Sequence, residues 1–257
     1  MRIETEEITT MKYMGGKFKI AKHIVPIIQQ KIDDNNIQQY LEPFVGGANI
    51  IDKVRCDVRI GADNNKYLIA LYNNLDKVVQ LPNESPTKEE YDAVRMDYNN
   101  GGVVYSDWYI GAIGFLCSYN GRFFDGGYSG KRLLRTGEIR DYWSEAKRNL
   151  ENQIPMLNGV GFERVDYRIW RPKNALIYCD PPYFNTKQYN TSKNFDHAEF
   201  WEWCKEMSRR GNIVLVSEQE CPLDKSEYDI LWEKEAKRTI DCNGTKNNYE
   251  RLFELKY

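Results

Sequence analysis

The sequence predicts an α/β protein, a Rossmann-like sheet interrupted by a mostly helical insert, on three observations. Two strand-turn-helix units follow one another early in the chain. "IQQYLEPFVGG" runs a short strand into a glycine-rich turn, and "VRIGADNNKYLIALYNNL" runs a strand ending in an acid into a helix carrying Leu68, Leu71, Tyr72 and Leu75. Such alternation builds a parallel sheet. Second, the apolar strand runs stop near residue 80 and resume near residue 160 with "NALIYCD" and "NIVLVSE", so residues 80–159 interrupt a core made of 1–79 and 160–257. Third, the end of the chain reads as strand, turn at Asn243-Gly244, strand, an antiparallel hairpin.

The remaining elements follow in order. Residues 19–32, "KIAKHIVPIIQQKI", form an amphipathic helix interrupted or started near Pro26. In the insert, helices over 87–98 and 108–117 precede the glycine-rich, basic "YNGRFFDGGYSGKRLLRTGEIR", and a third helix covers 142–157. Residues 196–209 are helical, between the two resumed strands. Composition supports a folded protein with a polar surface: 29% charged, yet 41% hydrophobic with 18 Tyr, 10 Phe and 6 Trp. A net charge of -2 excludes a uniformly basic nucleic-acid coat but not a local basic face, and 131–148 is locally basic. Six dispersed cysteines without a CxxC pair imply reduced thiols and a cytoplasmic protein, and two histidines outside any Cys/His cluster argue against a metal site. "MRIETEEITT" has no apolar signal core and no run approaches membrane-spanning length, so neither secretion nor a membrane is expected.

Two strand ends carry the first chemistry. "EPFVGG", from Glu42 to Gly47, sits where open α/β sheets bind ligands, though a Gly-Gly turn after a strand is also a plain loop. Asp63 ends the next strand, where a carboxylate either takes both hydroxyls of a ribose or caps the following helix. Together they favour a nucleoside cofactor. Neither GxGxxG nor GxxxxGK[ST] is present, which disfavours dinucleotides and nucleoside triphosphates and leaves S-adenosylmethionine, with S-adenosylhomocysteine as product. The strand "LIYC" then ends in Asp180-Pro181-Pro182-Tyr183. An exocyclic amine of a base is a poor nucleophile because its lone pair is delocalised into the ring. The Asp180 carboxylate and Pro181 carbonyl, fixed by the two prolines, can accept its hydrogens and localise that pair, while Tyr183 stacks on the base. The bland alternative is a proline-terminated strand with an aromatic plug.

With those residues in place, the chain resembles the Dam-type (class alpha, D12-like) DNA adenine-N6 methyltransferases. The resemblance rests on "KYMGGK", "YLEPFVGGA", "IGADNNKYLIALYN", "YNG", "IYCDPPY", "IVLVSE" and "KRTIDCNGTKNNYERLFELKY", in family order and nearly end to end. It implies a mixed seven-stranded methyltransferase sheet with a target-recognition insert. It also implies that Tyr13 and Lys17 hold the methionyl part of the cofactor, that Glu42, Pro43, Phe44 and Gly46 belong to its pocket, and that Asp63 takes the ribose. Asp166, with Tyr167, resembles a pair that contacts the cofactor adenine, and a surface turn is an equal reading there.

In the insert, Tyr119, Asn120 and Arg122 resemble the start of a recognition hairpin. The basic segment after them, with Lys131, Arg132 and Arg135, would meet phosphates of double-stranded DNA, unless it is a solvated charged face. Relatives that read GATC carry Asn-Val-Pro-aromatic-Gly where this chain has "DGGYSGK", so its target sequence stays open. Cys221 precedes rather than follows a proline, which rejects cytosine-C5 chemistry, and Cys179 reads as a small buried strand residue. The aromatic group Phe200, Trp201 and Trp203 reads as core packing. The expectation is a monomeric adenine-N6 methyltransferase acting by base flipping, with a cognate restriction endonuclease or none, as in an orphan or phage enzyme. N4-cytosine methylation and an inactive DNA-binding relative are the rival readings.

Overall fold

The computed structural model describes residues 10–183, 195–236 and 248–257. Along the chain it forms α1 (Phe18–Asp34), β1 (Gln39–Glu42), β2 (Val58–Ala62), α2 (Lys66–Tyr72) and α3 (Leu75–Val79). Next come α4 (Lys88–Asn99), α5 (Asp107–Leu116), the short strands β3 (Lys131–Leu133) and β4 (Ile139–Asp141), α6 (Tyr142–Leu157) and β5 (Val160–Glu163). The chain ends with β6 (Leu176–Cys179), α7 (His197–Arg209), β7 (Ile213–Glu218), β8 (Tyr228–Ala236) and β9 (Asn248–Leu255).

Seven strands make one mixed sheet in the order β5-β2-β1-β6-β7-β9-β8. β1 pairs in parallel with β2 and β6, β6 pairs in parallel with β7, and β9 runs antiparallel to both β7 and β8. The α/β class and the terminal antiparallel hairpin are therefore as expected. The predicted turn at Asn243-Gly244 lies outside the described residues. β6 is buried at all four positions and β7 is apolar over "IVLV", as strands covered on both faces must be. α1 buries Ala21, Ile24, Ile28 and Ile32 at helical spacing and continues through Pro26, whose position is solvent-exposed. Two details go beyond the sequence reading. β5 is a further sheet strand, and the largely helical stretch 80–159 contains the β3–β4 hairpin, whose strands are too short for a periodicity to register.

The chain forms two compact units: Met1–Phe18, Gly46–Lys53 and Asn65–Arg164 in one, and Lys19–Val45, Val54–Asn64 and Val165–Tyr257 in the other. The second has its core among Leu41, Ile177, Phe200, Trp203, Met207 and Val214. Phe200, Trp201 and Trp203 all lie inside it. The first is centred on aromatic contacts, with Phe115 and Phe123 at 4.7 Å and Tyr98 stacked on Phe124 at 5.3 Å. Among the described residues no helix is long and apolar enough to cross a membrane.

Candidate active site

The sheet changes direction between β1 and β6. From β1 the chain moves outward to β2; from β6 it moves the other way to β7. Parallel sheets leave a crevice beyond the carboxyl ends of their strands at such a switch point. Glu42-Pro43-Phe44 leaves β1 there, and Asp180-Pro181-Pro182-Tyr183 leaves β6. Glu42 is buried, and its Oε1 accepts the Tyr40 hydroxyl at 2.6 Å. The Tyr178 hydroxyl shares a 2.9 Å hydrogen bond with Ser217 Oγ, and the Tyr183 hydroxyl donates to Glu250 Oε2 at 2.6 Å. All three phenols are pushed well above their usual range by burial, reinforced by the negative charge of Glu42 on Tyr40 and of Asp180 on Tyr178 and Tyr183. Cys179 is fully buried, as a strand residue.

Phe44 packs against Tyr167, Phe195 and Phe200, at centroid distances of 5.3, 5.7 and 5.7 Å. Asp63 follows the last residue of β2 and is half-buried. It does not cap α2. That task falls to Asn65, whose side chain accepts from the backbone of Tyr67 and Leu68 at 3.0 and 3.3 Å. Asp166 takes three hydrogen bonds from Arg168 (its backbone N, Nε and Nη2) and a longer one from Asn64. The Arg168 guanidinium holds the Asp166 carboxyl down at about 2.

In the other unit, the "YMGGK" turn and the Gly46-Gly47 loop leave no room for a side chain at Gly16, Gly46 or Gly47. A Cβ on Gly46, where φ is +45°, would come within 2.9 Å of the Tyr13 ring, and one on Gly16 or Gly47 within 2.6 or 2.7 Å of Asn49 Nδ2. The Tyr13 ring stacks on Phe115 at 5.7 Å, and the Tyr72 hydroxyl donates to Gly46 O at 2.8 Å. Gln153, fully buried on α6, ties the same loop down. Its Nε2 donates to Gly47 O, Ala48 O and Asp52 Oδ2 at 3.1, 3.1 and 2.9 Å, while its Oε1 accepts from Met11 N at 3.0 Å. Lys17 is largely buried, with Nζ 3.4 Å from Gly15 O.

Tyr119 and Asn120 lie exposed on a tight turn in which Asn120 adopts a left-handed φ of 59°. Lys131, Arg132 and Arg135 are exposed on and beside the β3–β4 hairpin. The rest of the basic segment divides. Arg140 forms a two-pronged pair with Glu145 at 2.8 and 2.9 Å, and Lys12 also contacts Glu145. Lys147 is buried, donating to Val79 O, Asn83 Oδ1 and Glu151 Oε1 at 3.1, 3.0 and 2.5 Å, so this member of the predicted phosphate-facing run is internal.

Residues 13–240 match the family of D12 class N6 adenine-specific DNA methyltransferases. The chain belongs to this family. The methyltransferase is 24% identical to the type II methyltransferase M.MjaIII of Methanocaldococcus jannaschii, over 95% of this chain and 96% of that protein. It is 24% identical to the DNA adenine methylase of Salmonella typhi, over 95% of this chain and 94% of that one. With the DNA adenine methylase of Haemophilus influenzae the identity is 26%, over 92% and 88%. The enzyme is thus a DNA adenine-N6 methyltransferase of an S-adenosylmethionine-dependent family, with DNA as its substrate.

Within the methyltransferase, one unit brings Glu42, Pro43, Phe44, Asp63, Asp166 and Asp180 to Tyr183 together, and the other holds Tyr13, Lys17, Gly46 and the six predicted DNA-facing residues. Sequence reasoning missed Glu250, Asn65, Tyr72 and Gln153. For Gln153 a signal exists. Trp143, Ala146, Leu150, Gln153 and Leu157 recur at spacings of three and four, so a glutamine stands on the buried stripe of α6. Such a polar intruder implies buried partners.

Proposed function

We propose that the enzyme binds S-adenosylmethionine and methylates an adenine flipped out of double-stranded DNA above Asp180–Tyr183, at sites selected by residues 80–159. The observation that carries this reading is the placement of Glu42-Pro43-Phe44 and Asp180-Pro181-Pro182-Tyr183 at the carboxyl ends of the adjacent parallel strands β1 and β6, on either side of the switch point. The residues suit the cofactor. Asp63 stands directly after β2, where its carboxylate would take the ribose hydroxyls. Phe44, backed by Tyr167 and Phe195, supplies an aromatic wall. Asn49 Oδ1 is buried with no hydrogen-bond partner among the described residues, an acceptor suited to an ammonium group, and Tyr13, Lys17 and Gly46 would contact the same methionyl part. Asp166, steadied by Arg168, would meet the cofactor adenine.

When bound, the cofactor supplies a methyl group on a sulfonium, whose C–S electron pair returns to sulfur to leave S-adenosylhomocysteine. The chain's own residues prepare the acceptor. The Asp180 carboxylate and the Pro181 carbonyl accept the two amino hydrogens of the flipped base, which draws the nitrogen lone pair out of conjugation and aims it in line with the methyl. Asp180 then receives the proton the nitrogen must lose once its fourth bond forms. Tyr183, neutral and held by its hydroxyl, presents a face for the base. Outside the pocket, Tyr119, Asn120 and Arg122 would reach base edges, while Lys131, Arg132 and Arg135 would meet phosphates.

Asp180→Ala tests the assignment. Methyl incorporation into plasmid DNA should fall below detection while calorimetry still records cofactor binding. Full activity in that variant would sink the mechanism.

A further inference from the structure

We propose that Glu250 is a positioning residue for methyl transfer, holding the Tyr183 ring at the tilt the flipped base requires. The inference rests on the reading that Tyr183 stacks on that base. The two prolines before Tyr183 fix the backbone path but leave its χ1 and χ2 undetermined. Something else must aim the ring. The Tyr183 hydroxyl donates to Glu250 Oε2 at 2.6 Å, a short bond to an acidic side chain.

The geometry of a phenol makes this bond an aiming device. Its oxygen lies on the ring axis, so an anchored hydroxyl fixes the direction in which the ring leans. The O–H also prefers the plane of the ring, so an acceptor in a fixed place restricts spin about that axis. Glu250 is itself in a fixed place. It stands on β9 opposite Lys234 of β8, and from the next residue onward β9 is paired with β7 as well. A loop side chain is thereby referenced to the sheet that also delivers Asp180 from β6. The phenol stays protonated and able to donate because burial and the nearby Asp180 and Glu250 charges push its ionisation up. A stacked pair depends on offset and parallelism, so a ring that sweeps freely loses base contact even though every atom is still present.

The alternative, a clasp that merely tethers the catalytic loop, predicts different kinetics. The experiment compares Glu250→Leu, Glu250→Gln, Tyr183→Phe, Tyr183→Ala and the Tyr183→Phe/Glu250→Leu pair in the full-length enzyme. It reads steady-state transfer of tritiated methyl to mixed-sequence plasmid DNA, cofactor binding by calorimetry, and the thermal midpoint. Glu250→Leu should lower kcat about tenfold, the effect of losing one hydrogen bond to a charged acceptor, with cofactor affinity unchanged. Glu250→Gln keeps an acceptor oxygen and should stay within about threefold of the parent kcat. Tyr183→Phe should resemble Glu250→Leu, and adding Glu250→Leu to it should cost nothing further.

Unaltered kcat in Glu250→Leu overturns the proposal. So does a Gln variant as poor as the Leu variant, an undiminished effect of Glu250→Leu in the Phe background, or a parallel drop in cofactor affinity and thermal midpoint. Tyr183→Ala separates the two levels of inference. If it is fully active, the stacking reading itself falls; if it is inactive while Glu250→Leu is unimpaired, only the positioning proposal does.

Discussion

Replacing Gln153 by Leu is the perturbation whose cost can be worked most directly from the structure. The residue is fully buried, and its amide serves four partners on three separated stretches: Met11 N, Gly47 O, Ala48 O and Asp52 Oδ2. Leucine fills similar space but satisfies none of them. The buried Met11 N–H loses its acceptor, which costs about 1–3 kcal/mol. The bond to the Asp52 carboxylate adds about 1.5–3 kcal/mol, tempered because Lys53 still pairs with Asp52 at 2.8 Å. The two carbonyls shared one amide group, so they contribute less, and the extra apolar burial of leucine returns about 1–2 kcal/mol. The net expectation is a loss of roughly 3 kcal/mol of folding stability. Urea unfolding followed by tryptophan fluorescence measures it, through a lower midpoint at unchanged slope. The bonds also pin Gly47 and Ala48, so cofactor affinity should weaken in step. A loss below about 1 kcal/mol would refute the reasoning, because it would mean water replaces these bonds at no cost.

Three further outcomes concern charged groups. Asp166 is held at about 2, below an unfolded carboxyl near 3.9, so its contribution is present above the unfolded value and is lost as pH falls toward the folded one. Asp166→Asn should therefore flatten the acid limb of stability below about pH 4, modestly since Arg168 is half exposed; an unchanged limb in acid titrations would count against the pair. Lys131→Ala/Arg132→Ala removes two exposed cations, and the slope of log affinity for DNA against log salt should shrink by about 0.9 for each phosphate left without its cation. Lys147→Met, at a buried position, should cost stability but leave that slope alone; an altered slope would relocate the phosphate track.

What is legible in the sequence is what lies contiguous within it. A strand that meets Asp-Pro-Pro-Tyr must stop there with its carbonyls fixed, and both the strand and the stop are written in adjacent residues. The same holds for β1 running into Glu42-Pro43-Phe44 and for α4 and α5, which lie within a residue of the helices expected over 87–98 and 108–117. Asn65 shows the limit. Asp63 and Asn65 are both competent caps, and only the backbone trajectory decides which one meets the first turn of α2. The β3 and β4 strands are three residues each and almost wholly exposed, so neither length nor alternation marks them. Glu250 was beyond reach for another reason. Its partner Tyr183 lies 67 positions away, and nothing in "NNYERLFELKY" distinguishes a glutamate that receives a phenol from one that faces water.

The acids and phenols at the switch point make sense only as a set. Tyr40, Tyr178 and Tyr183 lie on or just after β1 and β6, and each is held neutral by burial next to a carboxylate. A neutral phenol donates to such a carboxylate, which orients Glu42 and Glu250 by short bonds. In the proposed mechanism Asp180 has a different task from these two. It stands between Tyr178 and Tyr183 in sequence and raises both of their ionisation thresholds, so both rings stay uncharged next to the one carboxylate assigned to the amine. A charged phenolate there would compete with Asp180 for the amino hydrogens and for the proton released. On the proposed mechanism, burial of the tyrosines would therefore serve chemistry as well as packing, because it keeps their phenols from acting as bases beside Asp180.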